Sequence, residues 1–215
     1  MSGAQAAVDF AASLKAATRE LHAQAERSGF IAAMLRGQAS RAGYIRWLRN
    51  LLPAYGALEA GLDANRDRPG LAALAWPALY RAPAMRRDLR HLAGTDWERG
   101  ALFPAAARYE ARIAHAAETA PVLLVAHAYV RYLGDLHGGQ IIRRILAESM
   151  GLGAEGLEFY EFDEIGNLPG FRHQFRAVIA AAAAGGDDAS FIAEAQAAFG
   201  FNIALSIAIG DNAAA

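Results

Sequence analysis

The chain has 215 residues, of which 54% are hydrophobic and 20% are charged, so it is long enough for one globular domain with a sizeable core. A net charge of −1 gives it no overall attraction to nucleic acid or to an anionic membrane. The absence of cysteine excludes disulfides, thiolate zinc sites, iron–sulfur clusters and cysteine nucleophiles, and it fits a reducing compartment.

The N-terminal sequence MSGAQAAVDFAASLKAATRE lacks the basic and then apolar pattern of a signal peptide. No run of apolar residues approaches the roughly 18 that span a membrane. We therefore predict a cytoplasmic protein, a monomer with no membrane and no nucleic-acid partner. Clusters of glycine and proline, with no long alternation of period 2, predict an all-α, single-domain fold of roughly eight helices. The domain is predicted at 13–210, between flexible segments at 1–12 and 211–215.

The first helix is predicted over Ser13–Ser28 and carries a polar face. Lys15 and His22 lie seven residues apart, which is two turns, and Glu26 follows one turn later. This face is either solvated, or it presents one nitrogen of His22 to a ligand while the other nitrogen lies near a carboxylate.

The next long helix begins after Ser40, a residue type suited to an N-cap. Pro53 lies off its apolar stripe and is expected to bend the helix. The stripe repeats at helical spacing and comprises Tyr44, Leu48, Leu51, Tyr55, Leu58 and Leu62.

Three glycines interrupt a later segment that otherwise has a helical pattern, although each costs roughly 1 kcal/mol relative to alanine inside a helix. They are Gly134, Gly138 and Gly139. A tight crossing with another helix at Gly134 and Gly138 would explain them, as would a helix C-cap at Gly138 and Gly139 followed by a second helix. A flat cofactor against a face without side chains is the third explanation. The glycines alone leave all three open.

Two further helices carry polar residues of interest. Arg172 and Arg176 form an i, i+4 pair that is either a surface basic pair or an anion clamp. In the last helix Asn202 lies in the middle of an apolar stripe. It must find hydrogen bonds there, either as a core residue bonded to neighbouring backbone or as part of a pocket.

A haem needs an axial ligand, a close-packed slot and cations for its propionates. The chain offers a histidine on a helix, a helix face without side chains, and cations at Lys15, Arg172 and Arg176. It has no CxxCH motif, so the haem would be haem b, held without thioether links.

The segment LLVAHAYVRYLGDLHGGQ resembles the signature of the haem oxygenases of the mammalian and related bacterial type. LKAATRELHAQAE resembles their proximal-helix segment, and GLEFYEF, FRHQFR and EAQAAFGFNIAL follow in family order and spacing. The resemblance runs from about Leu14 to Leu205. It implies an all-α fold in which haem is sandwiched between a proximal helix and a glycine-rich distal helix.

The resemblance also implies roles for individual residues. His22 is the implied axial ligand of the haem iron, with Glu26 as its hydrogen-bonding partner. Gly134 and Gly138 are implied to lie against the macrocycle, and Asp135 to hold a water near bound oxygen, which makes these three the predicted catalytic residues. The other implied cofactor-binding residues, among them the propionate-side cations, are Lys15, Tyr129, Arg131, Arg172, Arg176, Phe199 and Asn202.

This sequence departs from the family pattern at two positions. The position of Arg172 is commonly lysine, so charge is kept while geometry changes. The residue after GDL is usually serine, and here it is His137. In a regular helix its side chain points about 160° away from that of Asp135. We therefore expect an outward-facing imidazole, with perturbation of the distal water or ligation of iron as alternatives, and we expect His127 to be a core histidine.

The implied activity is oxidative cleavage of haem at the α-meso carbon to biliverdin, Fe(II) and CO. It uses O2 and an electron donor, which is a ferredoxin, a flavodoxin or an NAD(P)H-dependent reductase. The basic segment Met85–His91 is either a docking face for such a donor or a solvated helix face. A haem carrier or sensor that leaves haem intact is the alternative on the same fold. A di-metal carboxylate bundle is excluded because the chain lacks the Glu-x-x-His motif on two helices.

Overall fold

The structure, a computed structural model, describes residues 3–99, 101–183 and 187–211. Those residues form nine α-helices and no strand, which confirms the predicted all-α class. Short 3₁₀ segments lie at Pro77–Leu79, Gly94–Glu98, Pro121–Leu123 and Glu158–Tyr160. The helices are α1 (Gly3–Arg27), α2 (Gly29–Leu35), α3 (Arg41–Ala64), α4 (Ala82–Ala93), α5 (Pro104–Thr119), α6 (Leu124–Gly134), α7 (Gln140–Met150), α8 (Leu168–Ala183) and α9 (Asp188–Asp211).

The first helix begins at Gly3, whereas the sequence predicted a start at Ser13. Phe10 is buried and packs edge-on against Phe191 of α9, with ring centroids 5.2 Å apart. Burial of this aromatic pair stabilises the extra turns of helix. The domain boundaries at 13–210 stay a prediction, and residues 1–2 and 212–215 of the two predicted flexible segments lie outside the described residues.

α3 forms one wall of the core, and its start follows the prediction. The Ser40 hydroxyl accepts a hydrogen bond from the Gly43 amide at 3.1 Å, so Ser40 is the N-cap. α3 contains Pro53 and packs against α4 and α5. The predicted apolar stripe is fully buried at Tyr44, Leu48, Leu51, Tyr55, Leu58 and Leu62.

α9 packs against α1, α2, α5 and α6. Its segment Asp188–Gly210 is long and apolar enough, by length and composition, to cross a membrane. The prediction that no run approaches a membrane span is therefore wrong for this helix. Half of its most apolar stretch is buried inside the fold, and a core helix passes the same test, so α9 is weak evidence for a span.

The chain continues from α6 into α7 through one π-helical turn, Asp135–Gly139. Gly134 and Gly139 have φ of −59° and −56°, which are right-handed helical values. A left-handed glycine cap is therefore absent from this turn, and the predicted C-cap explanation for the glycines is wrong. A π-helical turn carries one more residue than an α-turn, and such turns are frequent at functional sites.

Four helices surround the region where the predicted site residues meet. α1 and α6 each pack against both α8 and α9, while α1 and α6 make few direct contacts with each other. The hydroxyls of Thr18 on α1 and Tyr129 on α6 lie 3.2 Å apart and connect these two helices. α1 and the glycine-rich end of α6 are the predicted two sides of the haem site, here called the slot.

Candidate active site

The α1 side of the slot presents the predicted axial ligand. The His22 side chain is 57% exposed, and its Nδ1 lies 3.7 Å from Oε1 of Glu26, as the four-residue spacing predicted. The His22 ring lies edge-on to Phe199 of α9, with centroids 5.9 Å apart. Nε2 has no hydrogen-bond partner among the described residues, so this nitrogen is available to a ligand.

The opposite side of the slot is the glycine face of α6 and the π-helical turn. A Cβ atom placed on Gly134 or Gly138 would meet no described atom within 4 Å. A Cβ placed on Gly139 would lie 3.0 Å from Cδ1 of Tyr160. A tight helix crossing at Gly134 and Gly138 is therefore wrong, because no described helix comes within 4 Å of a Cβ placed there. Space for a flat group, the third explanation, stays a prediction at these two positions.

A buried polar cluster, here called the Asp135 cluster, lies behind the glycine face. It consists of Tyr55, Arg131, Asp135 and Asn202, each buried. The Tyr55 hydroxyl donates a hydrogen bond to the Asp135 carboxylate and accepts one from Nε of Arg131 at 3.1 Å. Nη1 of Arg131 donates to Oδ1 of Asn202 at 2.5 Å, and its Nη2 lies 3.9 Å from Oδ1 of Asp135. The hydrogen-bond partner of Asn202 is therefore a side chain, and the prediction that Asn202 bonds neighbouring backbone is wrong.

Electrostatics fix the protonation of this cluster. Burial raises the pKa of Asp135 to about 6, against the opposing effects of Arg131, the Tyr55 hydrogen bond and Arg81. Burial also raises the pKa of Tyr55 well above its usual range, so Tyr55 remains the donor. Burial lowers the pKa of Arg131, but its interactions with Tyr55, Tyr109 and Asp135 outweigh that effect and the net shift is upward. At neutral pH the cluster therefore holds an ionised carboxylate beside a permanent cation.

The three predicted propionate-side cations lie on α1 and α8. Lys15 and Arg176 are exposed, with no hydrogen bond or ion pair to other described residues. Nη1 of Arg172 donates to Nδ1 of His137 at 2.8 Å and to the Leu136 carbonyl at 3.4 Å. His137 is exposed, and the predicted outward orientation of its imidazole stays a prediction.

His127 is a core histidine, as predicted. It is fully buried, and its Nε2 lies 2.8 Å from Oε1 of Glu194, which also accepts from Nε of Arg112 at 2.9 Å. Burial alone raises the pKa of Glu194, but His127 and Arg112 together lower it to about 2. This ion-pair cluster connects α5, α6 and α9 and directs no ligand atom into the slot.

Sequence reasoning missed two polar contacts near the slot. Tyr55 was assigned only to the apolar stripe of α3, although its hydroxyl bonds Asp135. Thr18, which bonds Tyr129, was not singled out. The available signal was the pair of tyrosines, Tyr44 and Tyr55, on a stripe that is otherwise leucine, because a buried tyrosine hydroxyl usually finds a hydrogen-bond partner. The pattern does not say which of the two has one, since the Tyr44 hydroxyl has no partner among the described residues.

These residues fit a haem. His22 offers an imidazole nitrogen without a partner among the described residues, and a Cβ placed on Gly134 or Gly138 would meet no described atom within 4 Å. Lys15 and Arg176 offer cations without carboxylate partners among the described residues, as propionates require.

Comparison with known proteins agrees with this fit. The family model for Heme oxygenase matches residues 8–207. Heme oxygenase 1 of Synechocystis is 36% identical over 170 residues, covering 79% of this chain and 71% of the relative. Heme oxygenase 1 of Rattus norvegicus is 39% identical over 173 residues, covering 79% of this chain and 60% of the relative.

Solved structures show the same similarity. The crystal structure of haem oxygenase-1 from Synechocystis in complex with haem superimposes with a TM-score of 0.88 at 32% identity, covering 95% of this chain and 94% of that one. The haem oxygenase of Leptospira interrogans gives 0.86 at 33% identity, covering 93% and 98%. The fold is therefore the all-α fold of haem-degrading oxidoreductases. The chain belongs to the haem oxygenase family, in which haem is both substrate and cofactor.

Proposed function

We propose that the protein cleaves haem b at the α-meso carbon, with O2 and external electrons, to give biliverdin, Fe(II) and CO. The observation that carries the proposal is the combination of an open face at Gly134 and Gly138 with the exposed imidazole of His22 on α1. In this proposal a flat ring lies between them, and Asp135, the neighbour of Gly134, belongs to the buried Asp135 cluster.

On the α1 side, His22 is the proposed axial ligand through Nε2. Glu26, 3.7 Å from Nδ1, favours the tautomer that carries its proton on Nδ1 and leaves Nε2 free to coordinate. Imidazole is a weaker electron donor to iron than a thiolate, which would favour O–O bond cleavage. Bound haem supplies the iron that binds oxygen and the ring that is oxidised.

On the glycine side, the chain controls water and protons. Ionised Asp135 cannot donate a hydrogen bond itself, but it can orient a water that donates toward bound oxygen. Tyr55 and Arg131 fix its carboxylate, and Asn202 in turn fixes Arg131. Gly134 and Gly138, which carry no side chains, would leave room for oxygen beside the haem ring.

The choice of ring edge depends on how the propionates are seated. Lys15, Arg172 and Arg176 are the proposed propionate-side cations, with Tyr129 beside them and Phe199 lining the pocket. Tyr129 is held by Thr18 at 3.2 Å, and Phe199 lies against His22. Fixing the two carboxylates sets the rotation of the ring, and so sets which meso carbon meets the oxygen.

The proposed electron donor is a ferredoxin, a flavodoxin or an NAD(P)H-dependent reductase. Arg86 and Arg90 are exposed on α4, and Arg87 is hydrogen-bonded to Glu158, so α4 presents a basic face to an acidic donor. The protein acts in this proposal as a cytoplasmic monomer.

The test adds haemin to the protein, then reductant in air, and follows absorption spectra and product chromatography. We expect loss of the Soret band and the α isomer of biliverdin as the main product. Haem that binds but survives reductant and oxygen would contradict the proposal and indicate a carrier or sensor. Arg176→Glu should shift the product toward the β and δ isomers, whereas His115→Ala, an exposed change on α5, should not. A β/δ mixture from the unmodified protein would contradict α-cleavage.

A further inference from the structure

Arg172 differs from the other two proposed propionate-side cations because protein groups already hold it. Its Nη1 donates to Nδ1 of His137 at 2.8 Å and to the Leu136 carbonyl at 3.4 Å. Both acceptors belong to the π-helical turn, whereas Arg172 is on α8, which packs against that turn. The contact therefore connects the π-helical turn, from here on called the distal turn, directly to a residue on the proposed propionate side.

The bonding pattern leaves one edge of the guanidinium free. Nε and Nη2 of Arg172 have no hydrogen-bond partner among the described residues. These two atoms form the edge that binds a carboxylate through two parallel hydrogen bonds. A guanidinium held at Nη1 thus retains a bidentate donor pair for an incoming carboxylate.

His137 can hold Arg172 only as an acceptor. A guanidinium is always a donor, so Nδ1 of His137 must be unprotonated and its proton must lie on Nε2. The serine that is usual in the family at this position has a shorter side chain, with its hydroxyl oxygen one bond from Cβ. In this chain the arginine and histidine side chains are both long enough for Nη1 of Arg172 to reach Nδ1 of His137.

We propose that His137 is a positioning residue that holds the Arg172 guanidinium so that its Nε–Nη2 edge binds one haem propionate, and thereby helps to set which meso carbon is cleaved. This inference rests on the proposed function. Because the side-chain contact that His137 makes among the described residues is with Arg172, its effect passes through Arg172. Without the hydrogen bond to His137, the Arg172 side chain would sample more rotamers, and the propionate would bind in more than one position.

The experiment is a double-mutant cycle on the full chain. The variants are His137→Ala, Arg172→Ala and the double change, together with His137→Asn, whose side-chain oxygen replaces the Nδ1 acceptor. His115→Ala is the matched change of an exposed histidine on α5. Three quantities are measured: the haem dissociation constant by absorption titration, the α share of the biliverdin product, and the ¹⁵N signal of the Arg172 guanidinium without haem. Circular dichroism establishes that each variant is folded.

His137→Ala should raise the haem dissociation constant by about two- to fivefold, the size expected for an exposed charge-assisted hydrogen bond. It should also lower the α share and release the Arg172 guanidinium signal to that of a freely rotating side chain. His137→Asn should restore all three readouts. In the Arg172→Ala background, His137→Ala should have no further effect, because its partner is already absent.

Two results would overturn the inference. One is an unchanged Arg172 signal and product ratio in His137→Ala. The other is an equal effect of His137→Ala with and without Arg172, which would show that His137 acts by another route. The proposed function fails separately: unmodified protein that leaves haem intact contradicts the function, whereas α-cleavage that is insensitive to His137→Ala contradicts only the positioning role.

Discussion

The Tyr55 hydroxyl donates a hydrogen bond to the Asp135 carboxylate, joining α3 to the distal turn across 80 positions of the chain. The same hydroxyl accepts from Nε of Arg131 at 3.1 Å. One phenol thus orders both the carboxylate and the cation of the Asp135 cluster. Because all three groups are buried, losing either bond leaves a polar atom without water to replace its partner.

Tyr55→Phe should therefore cost about 1–3 kcal/mol of unfolding free energy, measured by urea denaturation at neutral pH. The hydrogen bond from Tyr55 lowers the pKa of Asp135, so its loss should raise that pKa above about 6 and move the acid limb of haem degradation to higher pH. Tyr132→Phe is the matched control, because the buried Tyr132 hydroxyl has no partner among the described residues. Equal stability and equal pH profiles for the two variants would refute this role of Tyr55.

Gly134→Ala and Gly139→Ala form a matched pair five residues apart, at either end of the π-helical turn. The Gly134 change meets no described atom within 4 Å, so it should keep or raise stability by up to about 1 kcal/mol while weakening haem binding. The Gly139 change brings Cβ to 3.0 Å from the buried Tyr160 ring, so overpacking should offset the gain in helix propensity. Thermal denaturation without haem and haem titration separate the two effects. The assignment of the open face to haem fails if Gly134→Ala lowers stability and leaves haem affinity unchanged.

His22→Ala should lose the axial-nitrogen absorption signature and nearly all haem degradation, because no other imidazole is placed on that face of α1. Added imidazole should partly restore both. The His22 side chain is 57% exposed, so stability of the protein without haem should not change. A native-like haem spectrum in the variant would move the ligand to another histidine, His137 first.

Glu194→Gln should destabilise the protein by about 3 kcal/mol at neutral pH, since it removes the buried negative charge that His127 and Arg112 share. The pKa of Glu194 is about 2 in the folded protein and 4.5 ordinarily, so this stabilisation is fully present above about pH 4.5 and is lost as pH falls toward 2. The stability gap between wild type and variant should therefore narrow over that interval in urea melts. Glu20 forms an exposed ion pair with Arg27, so Glu20→Gln should leave the free energy of unfolding unchanged. A Glu194→Gln variant that is as stable as the wild type would contradict a stabilising role for the buried ion pair.

Contacts within one helix followed from the sequence, and contacts between distant segments did not. The Glu26 carboxylate lies beside His22 because four residues make about one turn, a purely local property. The partner of Asp135 is a tyrosine on α3, which no local period identifies. The partner of Asn202 is likewise a side chain on another helix, Arg131. Family resemblance supplied the position of Asp135, and the three-dimensional packing supplied its partner.

The sequence also did not predict where α1 begins or that the distal turn is π-helical. Helix propensity is similar on both sides of Ser13, and the burial of Phe10 against Phe191 determines that the helix continues to Gly3. A π-helical turn adds one residue to a helix without a marker in the apolar pattern. The glycines predicted an unusual helix, but their open face was needed to exclude a helix crossing.

The most direct measurement of the central claim is an experimental structure of the protein with ferric haem. We predict that the ring lies between α1 and the distal turn, with iron bonded to Nε2 of His22 and the opposite ring face against the backbone of Gly134 and Gly138. It also predicts carboxylate contacts to Lys15 or Arg176 on the propionate side. Iron bonded to a different histidine, or a ring lying away from the two glycines, would contradict it.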